Sequence, residues 1–129
     1  MKRIVVSVQS GLLAEAIMQM LSDSGDFKPY CASVGAVKNG TVSQCEMIDA
    51  EILIAEVSYA TGTTIDTRLE EIKQLREKLP GCKIVLLCDE NSAPDIAREV
   101  MLVKRDGLID GFFYSSVTAK YLLAALLSL

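Results

Sequence analysis

The residues that this sequence lacks exclude several kinds of chemistry. It has no histidine and no tryptophan, and only 5% of its residues are aromatic. Without histidine it cannot form a Ser–His nucleophilic pair or a mixed cysteine–histidine zinc site. The four cysteines are Cys31, Cys45, Cys82 and Cys88. Because no two of them form a C-x-x-C pair, we interpret them as reduced structural thiols, as expected in the cytoplasm.

Long hydrophobic runs and an excess of positive charge are also absent. The N-terminus, MKRIVVSVQSG, reaches polar residues too early for a signal peptide. The longest apolar stretch, Tyr121 to Leu129, is far shorter than the roughly 20 residues that span a bilayer. The net charge is −4 and the isoelectric point about 4.8, whereas a nucleic-acid-binding surface is basic. We predict a cytoplasmic protein in which this chain contacts neither nucleic acid nor membrane directly.

The sequence does contain enough apolar material for one folded domain. Half of its 129 residues are hydrophobic, and no repeat or linker divides the chain. A chain of this length buries roughly two-thirds of its unfolded surface, which suffices for a core without metal or disulfide bonds. We predict a single domain over residues 1–129.

Short β-branched segments alternate with segments of helical periodicity. Five strands are predicted, at Arg3–Val8, Phe27–Val34, Glu51–Val57, Cys82–Cys88 and Ile109–Tyr114. A helix is predicted after each strand, with N-caps at Ser10, Ser92 and Thr118 and a weakly patterned second helix after Gly40. Five such units with right-handed crossovers give an α/β fold with a doubly wound, five-stranded parallel sheet.

Ligands of a doubly wound sheet bind beyond the carboxyl ends of its strands, here residues 8–10, 56–58, 88–90 and 114–116. The first βα turn has neither a G-x-G-x-x-G motif nor a Ser/Thr-rich phosphate loop, so flavodoxin-like cofactor binding is only a weak alternative. The carboxylates at these tips belong to Glu56, Asp89 and Glu90. We interpret the last two as solvated residues before a helix. We therefore predict no enzyme activity, no metal and no cofactor.

Four segments carry a resemblance that spans essentially the whole chain. They are R-I-V-V-S-V-Q-S-G-L-L, E-I-L-I-A-E-V, C-K-I-V-L-L-C and D-G-F-F-Y-S-S-V-T-A-K-Y-L-L. Together they resemble the receiver domain of two-component response regulators, which implies the flavodoxin-like strand order 2-1-3-4-5. The last segment is the most specific, because receivers commonly end strand five in D-G-[YF]-L-x-K. Asp110, Gly111, Phe112 and Thr118 match that pattern, whereas Ser115 stands where lysine belongs.

The resemblance also assigns the family's functional positions to residues of this chain. The Mg²⁺-binding acidic pair falls on Val8 and Gln9, the phosphoacceptor aspartate on Glu56, the switch Ser/Thr on Cys88, the lysine on Ser115 and the switch aromatic on Phe112. Among these positions, only Phe112 has the type of residue that the family has there. The resemblance therefore implies a pseudo-receiver, that is, a receiver-like domain that has lost its phosphorylation residues.

The chemistry of phosphorylation explains why these changes matter. An aspartyl phosphate forms when a carboxylate attacks phosphorus while Mg²⁺ and lysine neutralise the phosphoryl oxygens. Val8 and Gln9 cannot hold the metal as carboxylates do, and Ser115 brings no positive charge. Glu56 is one methylene longer than aspartate, which disturbs the in-line geometry. Two roles for Glu56 remain open, a fixed stand-in for the phosphorylated aspartate and a hydrated carboxylate without function.

The resemblance implies a regulatory domain of two-component signal transduction, in a phosphorelay whose output is transcription. The chain ends at Leu-Ser-Leu without a capping glycine or polar tail, from which we expect a DNA-binding output domain to follow in the full-length protein. A stand-alone adaptor is the alternative within the same class. We expect a protein partner or a homodimer to use the face of helix four, strand five and helix five. Leu102 and Phe113 are the interface candidates, because consecutive apolar residues cannot all face one core.

Overall fold

A computed structural model describes residues 1–32, 40–58, 63–88 and 94–129. Five strands alternate with five helices over these ranges. They are β1 Lys2–Ser7, α1 Gly11–Ser24, β2 Phe27–Cys31, α2 Gly40–Ile48, β3 Ile52–Val57, α3 Ile65–Lys78, β4 Lys83–Cys88, α4 Pro94–Arg105, β5 Gly111–Tyr114 and α5 Ala119–Leu127.

All five strands are parallel and form one sheet in the order β2-β1-β3-β4-β5. This confirms the predicted fold class and strand order. The register pairs Ser7 with Ala55, Val57 with Cys88, and Cys88 with Tyr114. The carboxyl ends of β1, β3, β4 and β5 therefore lie side by side along one edge of the sheet.

Side chains alternate between two apolar cores, one on each face of the sheet. In β1, Val5 packs with residues of α2, α3 and α4, which we call the α2–α4 face. Its neighbours Ile4 and Val6 pack with residues of α1 and α5, which we call the α1–α5 face. Because both faces are covered, strands β3 and β4 are almost continuously apolar, as expected for a parallel sheet.

The ends of several helices follow from their capping residues. Thr118 caps α5 as predicted, because its Oγ1 accepts a hydrogen bond from the Tyr121 N–H at 3.2 Å. Gly25 and Gly107 follow α1 and α4 with positive φ angles of 76° and 78°, which glycine adopts without a steric penalty. Ser10 occupies the predicted N-cap position of α1, but the side-chain bond expected of a cap is not formed. Its backbone carbonyl accepts from the Ala14 N–H at 2.9 Å.

Strand boundaries differ from the prediction by one to three residues. β1 ends at Ser7 rather than Val8, and β5 begins at Gly111 rather than Ile109. Just before β5, the Asp110 N–H donates to the Ile84 carbonyl at 2.8 Å and an Asp110 carboxylate oxygen accepts from the Ile84 N–H at 2.8 Å, and the strand register with β4 starts at Gly111. β2 ends at Cys31 and Ala32 is outside the strand, so the predicted continuation to Val34 is wrong from Ala32 onward. Val34 itself and the predicted cap at Ser92 lie outside the described residues. Within the described ranges, no helix has the length and hydropathy needed to cross a membrane.

Candidate functional site at the strand tips

The two candidate positions at the tip of β1 are Val8 and Gln9, and the first of them is an apolar residue. Val8 is 5% exposed and packs in the core of the α1–α5 face. Gln9 follows it and is exposed. Valine has no oxygen atom in its side chain to bind Mg²⁺, and here that side chain contributes to core packing. This packing leaves the β1 tip without a metal ligand at Val8.

Glu56 lies near the end of β3, and the structure brings it to the tip of β1. Its Oε1 accepts a hydrogen bond from the Gln9 N–H at 2.9 Å. By strand alternation its side chain leaves the sheet on the same face as Ile54, which is the α1–α5 face. The carboxylate therefore links two neighbouring strand tips, and its acceptor capacity is already partly used.

Cys88 and Ser115 lie at the tips of the next two strands. Cys88 is buried against the α2–α4 face, so its side chain leaves the sheet on the face opposite to Glu56. The Ser115 N–H donates to the carbonyl of Cys88 at 2.9 Å, while its own side chain is exposed. Ser115 thus supplies a neutral hydroxyl at the tip of β5, where a lysine would supply a mobile positive charge.

Cys45 and Cys82 are unreactive because they are buried. Burial raises the pKa of the Cys45 thiol to about 12 and that of the Cys82 thiol to about 11. Both thiols stay protonated at neutral pH, and a protonated thiol is a poor nucleophile and metal ligand. Cys31 differs from them because it is exposed. Core packing therefore accounts for three of the four cysteines but not for Cys31.

The aromatic side chains of β5 divide between the two faces of the sheet. Phe112 and Tyr114 pack against the α2–α4 core, with their rings edge-to-face and their centroids 5.9 Å apart. Phe113 packs on the opposite face, edge-to-face with Tyr121 of α5 at 6.1 Å. The predicted alternation is confirmed. All three residues are partly exposed, because β5 is an edge strand.

A buried polar cluster that was not predicted from the sequence lies directly behind the tips of β1 and β3. At its centre is Arg68 of α3, which is 1% exposed. Its Nε donates to the carbonyl of Glu56 at 2.8 Å, and its Nη2 donates to the carbonyl of Ser7 at 2.8 Å. The guanidinium therefore joins the backbones of two adjacent strands at the edge of the sheet where ligands of this fold bind.

Three further side chains complete this cluster. Nη1 of Arg68 donates to Ser7 Oγ at 2.9 Å and to Glu71 Oε1 at 3.0 Å, and Ser7 Oγ lies 2.8 Å from Thr41 Oγ1 of α2. We call Arg68, Ser7, Glu71 and Thr41 the Arg68 cluster. A signal for it exists in the sequence, because Arg68 falls on the apolar stripe of α3 with Ile72 and Leu75, where a charged residue needs a partner.

The candidate positions do not assemble a metal site. Among residues 1–32, 40–58, 63–88 and 94–129, no three histidine, cysteine, aspartate or glutamate side chains come together as possible metal ligands. Asp89 and Glu90, the other carboxylates predicted at the tips, lie outside the described residues. Of Val8, Gln9, Glu56, Cys88 and Ser115, only Glu56 carries a carboxylate.

Comparison with known proteins places this geometry in a structural class. No protein-family model and no curated protein sequence match the chain. It superposes on a LuxR-family DNA-binding response regulator from Staphylococcus aureus with a TM-score of 0.75 and 15% identity, over 99% of this chain and 98% of that one. Chemotaxis protein CheY4 from Vibrio cholerae gives a TM-score of 0.76 and 18% identity, over 99% and 98%.

A third structure, of the two-component response regulator RcsB bound to DNA, gives a TM-score of 0.72 and 17% identity. The match covers 98% of this chain and 61% of that one. The chain therefore has the fold of response-regulator receiver domains. Identities this low establish the fold alone, so the function must be argued from the residues at the strand tips.

Proposed function

We propose that this chain is a phosphorylation-independent receiver-like domain that signals through protein contacts and has no enzyme activity. The observation that carries the proposal is the pairing of Glu56 with the Gln9 backbone, beside a buried Val8. In this arrangement Val8 at the tip of β1 packs in the core, and Glu56 at the tip of β3 is hydrogen-bonded to the backbone of Gln9. They do not form a cluster of free carboxylates.

The charges at the candidate positions support the same proposal. Phosphoryl transfer to a carboxylate needs positive charge from a metal and a lysine to neutralise the phosphoryl oxygens. Val8 and Gln9 are uncharged, and Ser115 replaces the lysine. Val8, Gln9 and Ser115 cannot supply that positive charge, so they would not stabilise the phosphoryl oxygens during attack by the Glu56 carboxylate.

Weak or absent Mg²⁺ binding is the first expected result. A calorimetric titration of the wild type with Mg²⁺ should give no saturable heat at millimolar metal, because one carboxylate cannot replace the ligand set that Mg²⁺ needs. The matched variant Val8→Asp/Gln9→Asp/Glu56→Asp restores three carboxylates and should bind Mg²⁺, provided that circular dichroism shows it to be folded. Saturable heat in the wild type that disappears in Glu56→Gln would contradict the proposal.

We further propose that the surface of α4, β5 and α5 makes the protein contacts, with a second copy of the chain as partner. Leu102 is 43% exposed and Met101 53%, in accordance with the prediction that consecutive apolar residues of α4 cannot all be buried. Tyr121 and Leu127 of α5 are also exposed. Exposed apolar side chains on neighbouring elements are typical of contact surfaces.

The substitution Leu102→Glu tests this surface. Placing a charge in an apolar contact should weaken self-association by about tenfold or more, as measured by analytical ultracentrifugation. The melting temperature should change little, because Leu102 is substantially exposed. Leu12→Glu is the matched control, since Leu12 is 82% exposed on α1, outside the proposed surface. A monomeric wild type at high concentration, or unfolding of Leu102→Glu, would show that the proposed surface is wrong.

The output of the domain is proposed by analogy with the similar structures. Two of them are described as a DNA-binding response regulator and as a response regulator bound to DNA, and the second chain extends well beyond the matched region. We propose that this domain regulates transcription in the cytoplasm through an output domain or partner. Its acidic character, with a net charge of −4, supports DNA contacts by that other component rather than by this chain.

A further inference from the structure

The cluster around Arg68 joins parts of the chain that are distant in sequence. Arg68 and Glu71 belong to α3, Ser7 ends β1, and the carbonyl of Glu56 belongs to β3. Thr41 adds the first turn of α2 through its hydroxyl contact with Ser7. In the described parts of the chain, every buried side-chain nitrogen and oxygen has a hydrogen-bond partner. No buried polar side-chain atom of the cluster is therefore left without a hydrogen-bond partner.

A cluster of this kind needs an explanation other than stability. Removing an arginine and a glutamate from water has a desolvation cost that offsets much of the electrostatic gain from their pairing. Apolar side chains of similar size often stabilise a core equally well. The charged pair instead provides a fixed hydrogen-bond geometry, because one planar guanidinium donates to several acceptors at once. In this protein two of those acceptors are the backbone carbonyls of Ser7 and Glu56.

We propose that Arg68 is a positioning residue that locks the tips of β1 and β3 in one arrangement. By holding the backbones of Ser7 and Glu56, it keeps the Glu56 carboxylate against the Gln9 N–H. The Arg68 guanidinium thus holds the two strand tips in one position relative to each other, and this does not require a metal ion or a phosphoryl group. This inference rests on the proposed function in one respect, namely that the tips do not respond to a phosphoryl group.

The same helix offers a matched control for this proposal. Arg76 lies two turns beyond Arg68 and also donates to two backbone carbonyls, those of Cys82 at 3.1 Å and Leu108 at 3.0 Å. It also pairs with a carboxylate, Asp110, at 3.2 Å. Its contacts lie at the opposite end of the sheet from the tips. Arg76→Met therefore removes comparable interactions without touching the tips of β1 and β3.

The test is amide hydrogen exchange measured by NMR on the full chain. In Arg68→Met the Gln9 amide should exchange at least about tenfold faster than in the wild type, because loss of the carbonyl contacts frees the backbone that positions its acceptor. In Arg76→Met the same amide should change less than about threefold. Equal changes in the two variants, or no change in Arg68→Met, would overturn the proposal and leave Arg68 as a stabilising residue only.

Two milder variants cover the case in which Arg68→Met does not fold. Arg68→Lys keeps the charge but cannot bridge both carbonyls with one ammonium group, and Ser7→Ala removes only the hydroxyl. Both should accelerate exchange at Gln9 by several-fold, and unchanged exchange in both would overturn the lock. Mg²⁺ binding by the wild type would contradict the proposed function but not the lock. Failure of the exchange prediction would contradict the lock alone.

Discussion

Replacing Glu71 with leucine should lower the free energy of unfolding by about 3–5 kcal/mol, the usual effect of breaking a buried ion pair by removing one partner. Glu71 Oε1 lies 3.0 Å from Nη1 of Arg68, and the two side chains are 10% and 1% exposed. The substitution leaves the guanidinium buried without a counter-charge. Its remaining acceptors are Ser7 Oγ and two carbonyls, which are neutral.

Urea denaturation measures this loss, and the neighbouring glutamate provides the control. Glu70 lies on the exposed side of α3, so Glu70→Leu should change stability by no more than about 0.5 kcal/mol. Glu71→Gln should fall between the two, because it can keep the hydrogen bond but loses the charge. If Glu71→Leu and Glu70→Leu destabilise equally, the Arg68 cluster does not contribute as described.

Replacing Asp110 with alanine should cost about 2–3 kcal/mol, the second largest effect that we expect. One carboxylate oxygen of Asp110 accepts from the Ile84 N–H at 2.8 Å and from Arg76 Nη2 at 3.2 Å. The substitution removes the acceptor of a partly buried backbone N–H at the start of β4 and the counter-charge of Arg76. Thermal or urea unfolding checks the loss.

Asp106 is the control for this prediction. Its ion pair with Arg105 is long, at 3.7 Å, and largely exposed, so Asp106→Ala should change stability by less than about 0.5 kcal/mol. A small effect of Asp110→Ala would mean that water replaces the lost acceptor. A large effect would explain in structural terms why an aspartate precedes the Gly-Phe-Phe-Tyr segment, where the resemblance to receivers is most specific.

The fold could be predicted from the sequence because the pattern of strands and helices along the chain agrees with the burial that a doubly wound sheet requires. Short, continuously apolar runs, such as Ile52 to Ala55, alternate with amphipathic helices, and a sheet covered on both faces requires that pattern. The boundaries were less predictable. Asp110, directly before β5, contacts Ile84, a residue 26 positions away, and no local propensity encodes such a contact.

The candidate site was only partly predictable. The tip positions follow from strand order, and the contact between Glu56 and the Gln9 N–H joins two residues that the sequence analysis had singled out. The cluster beneath them was missed although Arg68 falls on the apolar stripe of α3, because the helix pattern alone does not show which groups pair with a buried charge. Those partners become evident only when Ser7 and the carbonyl of Glu56 are placed opposite Arg68, which requires the tertiary structure.

The central claim is that this domain does not accept a phosphoryl group, and intact-mass spectrometry after incubation with acetyl phosphate and Mg²⁺ tests it most directly. A receiver with the full set of acidic residues and lysine serves as the positive control under identical conditions. We predict that the control gains one phosphoryl group while the mass of this chain stays unchanged. A gain of one phosphoryl group that is lost in Glu56→Gln would contradict the account.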